Sequence, residues 1–413
     1  MMGGSNFDPV VDEKKQGSHN LMLSGLPNDI IATILSSIPT ELAVDASLLS
    51  QACRDLWTLV TVVELDQTPT RSWLSKEEPY SDYVTDPIAL HTRRRRLGCS
   101  RKKKIAAIME KYMQLHEDCI TRFKLKFTTN ETFDPLVDRW LQFVVGRKAK
   151  ELNLDLRASK WNDSVHRYRL PTDLFSCTSS LQVLTLRGCT VEPSFSLQSL
   201  CNLKKVVLDE VEEISVDMVH ALFLNIEFLT LKKLVVKGGT MNSQGQNTIV
   251  NEKMKGLKIV ECSGQWLEEC EIYAPNLEKF KYKGEVVNFS LRSVPRNLKK
   301  ATIIINKELG VNNAFRRLIN QVCCVKYLTL GFSVNFTGLH PRGEQENEIS
   351  LKPFLYLKEL LIITGGVKAH ERTVDCLMKN APKLRKYNIY PEFMIPKEKR
   401  GPQWERFLLS EFM

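Results

Sequence analysis

Residues 181–186 read LQVLTL, with apolar side chains at the first, fourth and sixth places. From Leu184 onward the residues alternate apolar and polar, the period of a strand with one buried face. The same frame, with any apolar residue admitted at the three places, fits ITRFKL at 120, AKELNL at 149, LKKVVL at 203 and LKKLVV at 231. It fits again at MKGLKI (254), LEKFKY (277), LKKATI (298), VKYLTL (325), LKELLI (357) and LRKYNI (384). Successive starts are 29, 32, 22, 28, 23, 23, 21, 27, 32 and 27 residues apart.

A recurrence of about 20–30 residues is the leucine-rich-repeat period, lengthened where a longer convex segment intervenes. One such strand cannot bury its apolar face alone, so the repeats stack into a curved solenoid. The fold class is therefore α/β, with the solenoid expected over 105–395. Between strands the sequence suits short helices. FDPLVDRWLQFVVGRK (133–148) places Leu136, Trp140, Leu141, Val144 and Val145 on one side. WERFLLSEF near the C-terminus has Trp404, Phe407 and Leu408 at helical spacing, so 396–413 reads as a terminal cap.

Upstream, the pattern differs. From Leu26 to Val60 nineteen of 35 residues are apolar, more than the three in seven a surface helix needs. Pro27 sets a helix start, and Ile30, Ile31, Ile34, Leu35 and Ile38 follow at helical spacing. Pro39-Thr40 breaks the run. A second helix carries Leu42 to Leu49, and Cys53, Leu56, Trp57 and Val60 line a third. The expected unit, 21–62, sits near the lower size limit for independent stability. Its surplus apolar surface implies a permanent neighbour: a partner protein or the solenoid end itself. Residues 1–20 read as a disordered tail and 63–104 as a polar and basic linker, with a helix resuming near Lys104.

Composition narrows the function. No apolar run approaches the length that spans a bilayer, and the first residues lack the order of a signal peptide. A reducing compartment, nucleus or cytoplasm, is expected. The eleven cysteines form no C-x-x-C pair and read as buried thiols. No metal site and no cofactor are expected. The net charge is +10, but RRRRLGCSRKKK (93–104) alone carries eight positive charges, leaving 10 − 8 = +2 elsewhere. That run is compatible with a nuclear-localisation signal, with a solvated charge run, or with nucleic-acid contact. Lacking interleaved aromatics, it fits base stacking least well.

The opening stretch, LPNDIIATILSSIPT then AVDASLLSQACRDLW, resembles the F-box of substrate receptors in Skp–cullin–F-box ubiquitin ligases. DRWLQFVV…KELNLDL, YRLPTDLFSCTSSLQVLTLRGC and APNLEKFKYKG resemble the plant F-box/leucine-rich-repeat group that often carries an FBD region. LKPFLYLKELLIITG…LMKNAPKLRKYNIYPEF is similar to that region more loosely. The resemblance covers roughly 24–390. It implies that an apolar F-box face packs on the Skp adaptor, and through it a cullin. The matching positions are Leu26, Pro27, Ile30, Ile34, Leu35, Leu48, Leu56 and Trp57. One departure is Cys53, where the family has a bulky aromatic; large-to-small losses of this kind run to about 3–5 kcal/mol.

The function that follows is a non-enzymatic receptor whose solenoid presents a protein target; tethering alone supplies the rate. No G-x-S-x-G, phosphate-binding glycine loop or coherent Cys/His pair is present. The other class is a nuclear repeat scaffold that binds nucleic acid or protein outside ubiquitination. Within each repeat, places three, five and seven should face the concave side. Across the eleven frames they hold thirteen basic residues against four acidic ones, Glu151, Asp155, Asp209 and Glu359. An acidic or phosphorylated target segment would suit such a face, with Lys279, Lys281 and Lys283 at its centre and Lys233, Lys258 and Lys300 flanking. Lysines that merely keep exposed strands soluble are the other reading.

Overall fold

The computed structural model describes residues 26–47, 56–68, 87–157, 166–174, 180–192, 202–236, 247–264, 267, 270–284, 290–305, 313–332, 351–364 and 375–391. Twelve parallel strands form one sheet. They are β1 (Val62–Asp66), β2 (Arg122–Lys126), β3 (Glu151–Asp155), β4 (Val183–Arg187), β5 (Lys205–Asp209) and β6 (Phe228–Lys232). There follow β7 (Gly256–Val260), β8 (Lys279–Gly284), β9 (Lys300–Ile305), β10 (Tyr327–Phe332), β11 (Glu359–Thr364) and β12 (Lys386–Pro391). Their order in the sheet is their order in the chain, as stacked repeats require.

Register is uniform: place three pairs with place three in every neighbouring repeat, as in Arg122 with Glu151 and Lys279 with Lys300. Places four and six therefore line one continuous core. Phe123, Leu125, Leu152, Leu154, Leu184, Leu186, Leu328 and Leu330 are each at most 1% exposed. Each such burial stabilises by about 1.5–3 kcal/mol. The core runs unbroken from Ile31 to Ala381.

The repeat expected at 231 is corrected. Its strand begins at Phe228, in the frame IEFLTLK from Ile226, because that frame sets Leu229 and Leu231 against Val206 and Leu208. Ile226, Leu229 and Leu231 are then all buried. Lys233 becomes the eighth residue, where the chain turns out of the strand. Its φ is 50°, and the equivalent Gly188, Glu210 and Glu261 are left-handed too. At Gly188 the turn has no room for a side chain, since an added Cβ would lie 2.5 Å from the Arg157 Cα.

The 63–104 linker is also corrected. Its start is β1, a twelfth copy of the frame with Val60, Val63 and Leu65 at places one, four and six, all buried. Its second part is a helix. The described helices include α1 (Asn28–Ser36), α2 (Thr40–Ser47), α3 (Pro87–Leu115), α4 (Asp134–Gly146), α5 (Val216–Asn225) and α6 (Asn313–Gln321), with a 3-10 turn at Leu56–Leu59. Helix α3 is inserted between β1 and β2, which hides the repeat spacing there. Helix α4 buries Trp140, Leu141 and Val144 as the spacing predicts. Elsewhere the back of the sheet uses strands instead: Asn247–Val250, Cys270–Tyr273 and Ser290–Leu291 form a small parallel sheet. The expected cap at 396–413 lies outside the described residues.

Candidate functional site

The N-terminal helices have two faces. Their inner face closes the first edge of the sheet. Ile31, Leu35, Ala43 and Trp57 are buried against the solenoid, and the backbone N–H of Glu64 on edge strand β1 donates to Thr40 Oγ1 at 2.8 Å. That contact satisfies a donor an open edge would leave for another chain. Trp57 lies 6.1 Å from the ring of Tyr112, whose hydroxyl donates to the Val60 carbonyl at 2.7 Å.

The outer face is apolar and uncovered. Leu26, Ile30, Ile34 and Leu42 are 41%, 46%, 43% and 54% exposed. Helix α1 starts without a side-chain cap; its first intrahelical bonds run from the Ile30 and Ile31 amides to the Pro27 carbonyl. Of the eight positions expected to bind an adaptor, Leu26, Pro27, Ile30 and Ile34 face outward. Leu35 and Trp57 are corrected: at 6% and 2% exposed they anchor the helices to the solenoid. Leu56 is half-buried and packs on the core. Leu48 lies outside the described residues, as does Cys53. Between residues 26 and 60 the described residues form two α-helices and the 3-10 turn, so the expected third helix is not among them.

The basic run is corrected from a linker to part of α3, and three of its charges are engaged. Arg101, 4% exposed, donates from Nη2 to Glu41 on α2 at 2.8 Å and from Nε to the Asp66 carbonyl at 2.9 Å. Burial pushes the Glu41 carboxyl up, and Arg101 and Lys104 partly offset that. Lys102 stands over the rings of Phe127 and Phe133 at 5.6 and 5.4 Å, its pKa lowered by burial. Lys104 pairs with Asp45 at 3.5 Å. These residues clamp α2 and α3 to the sheet.

On the sheet's open face the six target-binding candidates part company. Lys233 lies off the strand and pairs with Glu210 at 2.7 Å, while Lys237, misplaced with it, lies outside the described residues. Lys281 is only 5% exposed, because Lys258 and Thr302 flank it across the sheet. Lys283 pairs with Glu261 at 2.5 Å. Lys279 is exposed and sits beside Lys300. The patch is therefore a narrow basic stripe rather than an open cluster.

The corrected register changes the charge count: Lys233 and Lys237 leave, Lys232 enters, and Glu64 and Asp66 of β1 join. The face holds twelve basic and six acidic residues. In the first strands these alternate in sign. Arg122 pairs with Glu151 at 2.6 Å, Lys124 with Glu64 at 3.3 Å and Lys126 with Asp66 at 3.4 Å. Asp209, buried, gathers Lys232 at 3.4 Å, Arg157 at 3.5 Å and Arg187 at 3.9 Å.

Among the described residues no three His, Cys, Asp or Glu side chains group as a metal would need, and no helix is long and apolar enough to cross a membrane. Of the described cysteines Cys189 and Cys270 are buried, whereas Cys99 and Cys119 are exposed, against the expectation of buried thiols throughout. Burial pushes the Cys189 thiol up to about 12.

Residues 112–389 match the family described as At1g61320/AtMIF1, LRR domain. The chain is 27% identical over 313 residues to the Arabidopsis thaliana F-box/LRR-repeat protein At3g26922, covering 75% of this chain and 90% of that one. It is 24% identical over 379 residues to the FBD-associated F-box protein At4g10400 of the same plant (90% and 77% covered). It is also 22% identical over 394 residues to the F-box protein At3g62230, again of Arabidopsis (94% and 80%). The match spans the sheet from the end of α3 to β12 and so takes in eleven of its twelve stacked strands, and on that ground the chain belongs to the leucine-rich-repeat family of the At1g61320/AtMIF1 type.

Proposed function

We propose that this chain is the target-receiving subunit of a Skp–cullin–F-box ubiquitin ligase, working in the nucleus or cytoplasm. The outer face of α1 and α2 binds the Skp adaptor, and through it a cullin, while the solenoid holds a protein target near the ubiquitin-loaded arm. The observation that carries this reading is the stripe of Leu26, Ile30, Ile34 and Leu42, exposed on helices whose other face is already docked. An exposed apolar patch of this kind marks an interaction surface. The relatives' printed names, F-box and F-box/LRR-repeat, support the same assignment. Transfer needs no chemistry from this chain, because tethering raises the effective concentration of target at the enzyme. The nuclear scaffold that binds nucleic acid is the weaker reading, since Arg101, Lys102 and Lys104 already hold the fold together.

The test is co-purification of the full chain with a Skp adaptor. The paired change Leu26→Ala and Pro27→Ala removes contact area and loosens the helix start; Ile30→Asp with Ile34→Asp is the harsher version. Each buried isoleucine is worth about 1.5–3 kcal/mol at an interface, so the aspartate pair should weaken adaptor binding by at least about a hundredfold. Thermal unfolding should stay unchanged, because both side chains are exposed. Wild-type capture by the aspartate pair overturns the adaptor reading.

A further inference from the structure

Place two of each repeat, just before the strand, forms a column along the rim of the sheet. Its backbone is continuous, each N–H donating to the preceding repeat's carbonyl: Glu227 to Lys204, Lys255 to Glu227, Glu278 to Lys255 and Lys299 to Glu278, at 2.8–2.9 Å. The ladder continues from Lys326 to Lys299, Lys358 to Lys326 and Arg385 to Lys358, at 2.9–3.0 Å. Side chains on adjacent rungs are thus direct neighbours.

The charges along this column follow two regimes. Lys204, Glu227, Lys255, Glu278 and Lys299 alternate in sign, and Lys255 pairs with Glu227 at 2.7 Å and Lys299 with Glu278 at 2.9 Å. Beyond Lys299 the alternation stops. Lys326, Lys358 and Arg385 follow one another with no acid between them, and among the described residues none of the three forms an ion pair. Like charges on adjacent rungs are unfavourable. A column that alternates signs from Lys204 to Lys299 leaves three cations together at the place where the surface is also concave. A cleft of about 420 Å³ opens there, lined by Lys326, Lys358, Lys383 and Arg385 with Tyr356 and Leu384. Lys383 is held over the Tyr356 ring at 5.5 Å, which aims a fourth cation at the same space. Glu359, next in the chain to Lys358, is not part of the lining.

We propose that this rim cleft binds a phosphorylated serine or threonine side chain within a protein segment. A phosphate monoester carries close to two negative charges and three strong acceptor oxygens, matching several converging cations where a carboxylate matches one or two. The volume exceeds a phosphate alone, and Tyr356 and Leu384 offer apolar contact to a flanking residue. A nucleic-acid backbone fits less well. It would need a basic track, and among the described residues Glu278 and Glu227 interrupt the column. This inference rests on the reading that the solenoid holds a protein target, and it moves the expected anion site from Lys279, Lys281 and Lys283 to the rim.

The experiment uses the full chain and a fluorescent degenerate peptide pool with a central phosphoserine, its serine twin, inorganic phosphate as competitor and a single-stranded DNA oligonucleotide. The phosphoserine pool should bind about tenfold more tightly than the serine pool, and phosphate should compete. Lys358→Gln with Arg385→Gln should erase that preference. Lys255→Gln with Lys299→Gln, removing two paired cations from the same column, should preserve it. Equal binding of the two pools, a preference that survives the first double change, or equal loss in both double variants overturns the proposal; tighter capture of the DNA overturns it in favour of nucleic acid. Adaptor co-purification is measured on the same proteins. Its loss with the phosphoserine preference intact sinks only the adaptor reading, and the reverse result sinks only this one.

Discussion

The first six strands and the last six carry the same number of cations on the open face of the sheet, and use them differently. Across β1–β6 six basic residues face five acidic ones; across β7–β12 six face a single acid, Glu359. In the first half the signs alternate between neighbouring strands, so the cross-strand distances give pairs such as Arg122 with Glu151. In the second half lysine meets lysine, as in Lys279 beside Lys300 and Lys258 beside Lys281. The ends differ too. β1 is closed by α1, α2 and Trp57, whereas Tyr387, Ile389 and Tyr390 of β12 are 50%, 37% and 47% exposed. Charge in the first half is paired across neighbouring strands, whereas in the second half like charges stand side by side.

Three measurements test that contrast. The largest effect is expected at Arg101. Its replacement by alanine leaves Glu41, with a side chain 14% exposed, without its closest cation, and removing one partner of a buried pair costs about 3–5 kcal/mol. Lys103→Ala, two residues on and exposed, should change stability by less than about 0.5 kcal/mol. Urea unfolding that shows equal losses would return the basic run to a solvated charge run.

A middle-sized effect is expected at Arg157. Burial alone would push the Asp155 carboxyl up; the Arg157 guanidinium, 2.8 and 2.6 Å from its two oxygens, outweighs that and with Arg187 holds it below the usual carboxylate range. A depressed carboxyl stabilises the fold above its unfolded value, about 3.9, and that contribution is lost as pH falls through the lowered folded value. Arg157→Ala should therefore cost about 1 kcal/mol at neutral pH, kept small because the guanidinium is 36% exposed. The variant and the parent should converge only as pH falls below that lowered folded value. A difference that persists in acid would mean Arg157 acts through packing.

The smallest effect is a change of sign. Lys124→Ala, in the paired half, should lose a few tenths of a kcal/mol, and Lys279→Ala, facing Lys300, should gain a similar amount. Closely spaced urea midpoints resolve the two. If both substitutions destabilise, the second half's lysines are balanced after all.

Much of this was written in the order of residues. The frame L-x-x-L-x-L places Leu184 and Leu186 inside without reference to any other part of the chain, because a strand's period is local. Stacking in chain order follows, since each repeat can reach only its neighbours. Where two frames overlap, as IEFLTL and LKKLVV do, local pattern cannot choose between them. The choice was made by Leu229 and Leu231 meeting Val206 and Leu208 on the next strand. β1 escaped for a related reason: its frame, VTVVEL from Val60, stands 60 residues before the next because α3 intervenes, and its place in the stack is set by the pairing of Val62 with Arg122.

The surfaces were less legible than the core. That residues 26–60 have more apolar side chains than one face can use is a count, available from the sequence. Which side chains are the surplus is not, because Ile30 and Ile31 are adjacent and equally apolar; packing against α2 and the 3-10 turn buries Ile31 and leaves Ile30 outside. Likewise the sequence alone determined the number of cations, but not which have partners. Ion pairs join residues that are far apart in the chain, Lys124 with Glu64 or Arg101 with Glu41, and only the folding of the repeats onto one another sets those distances.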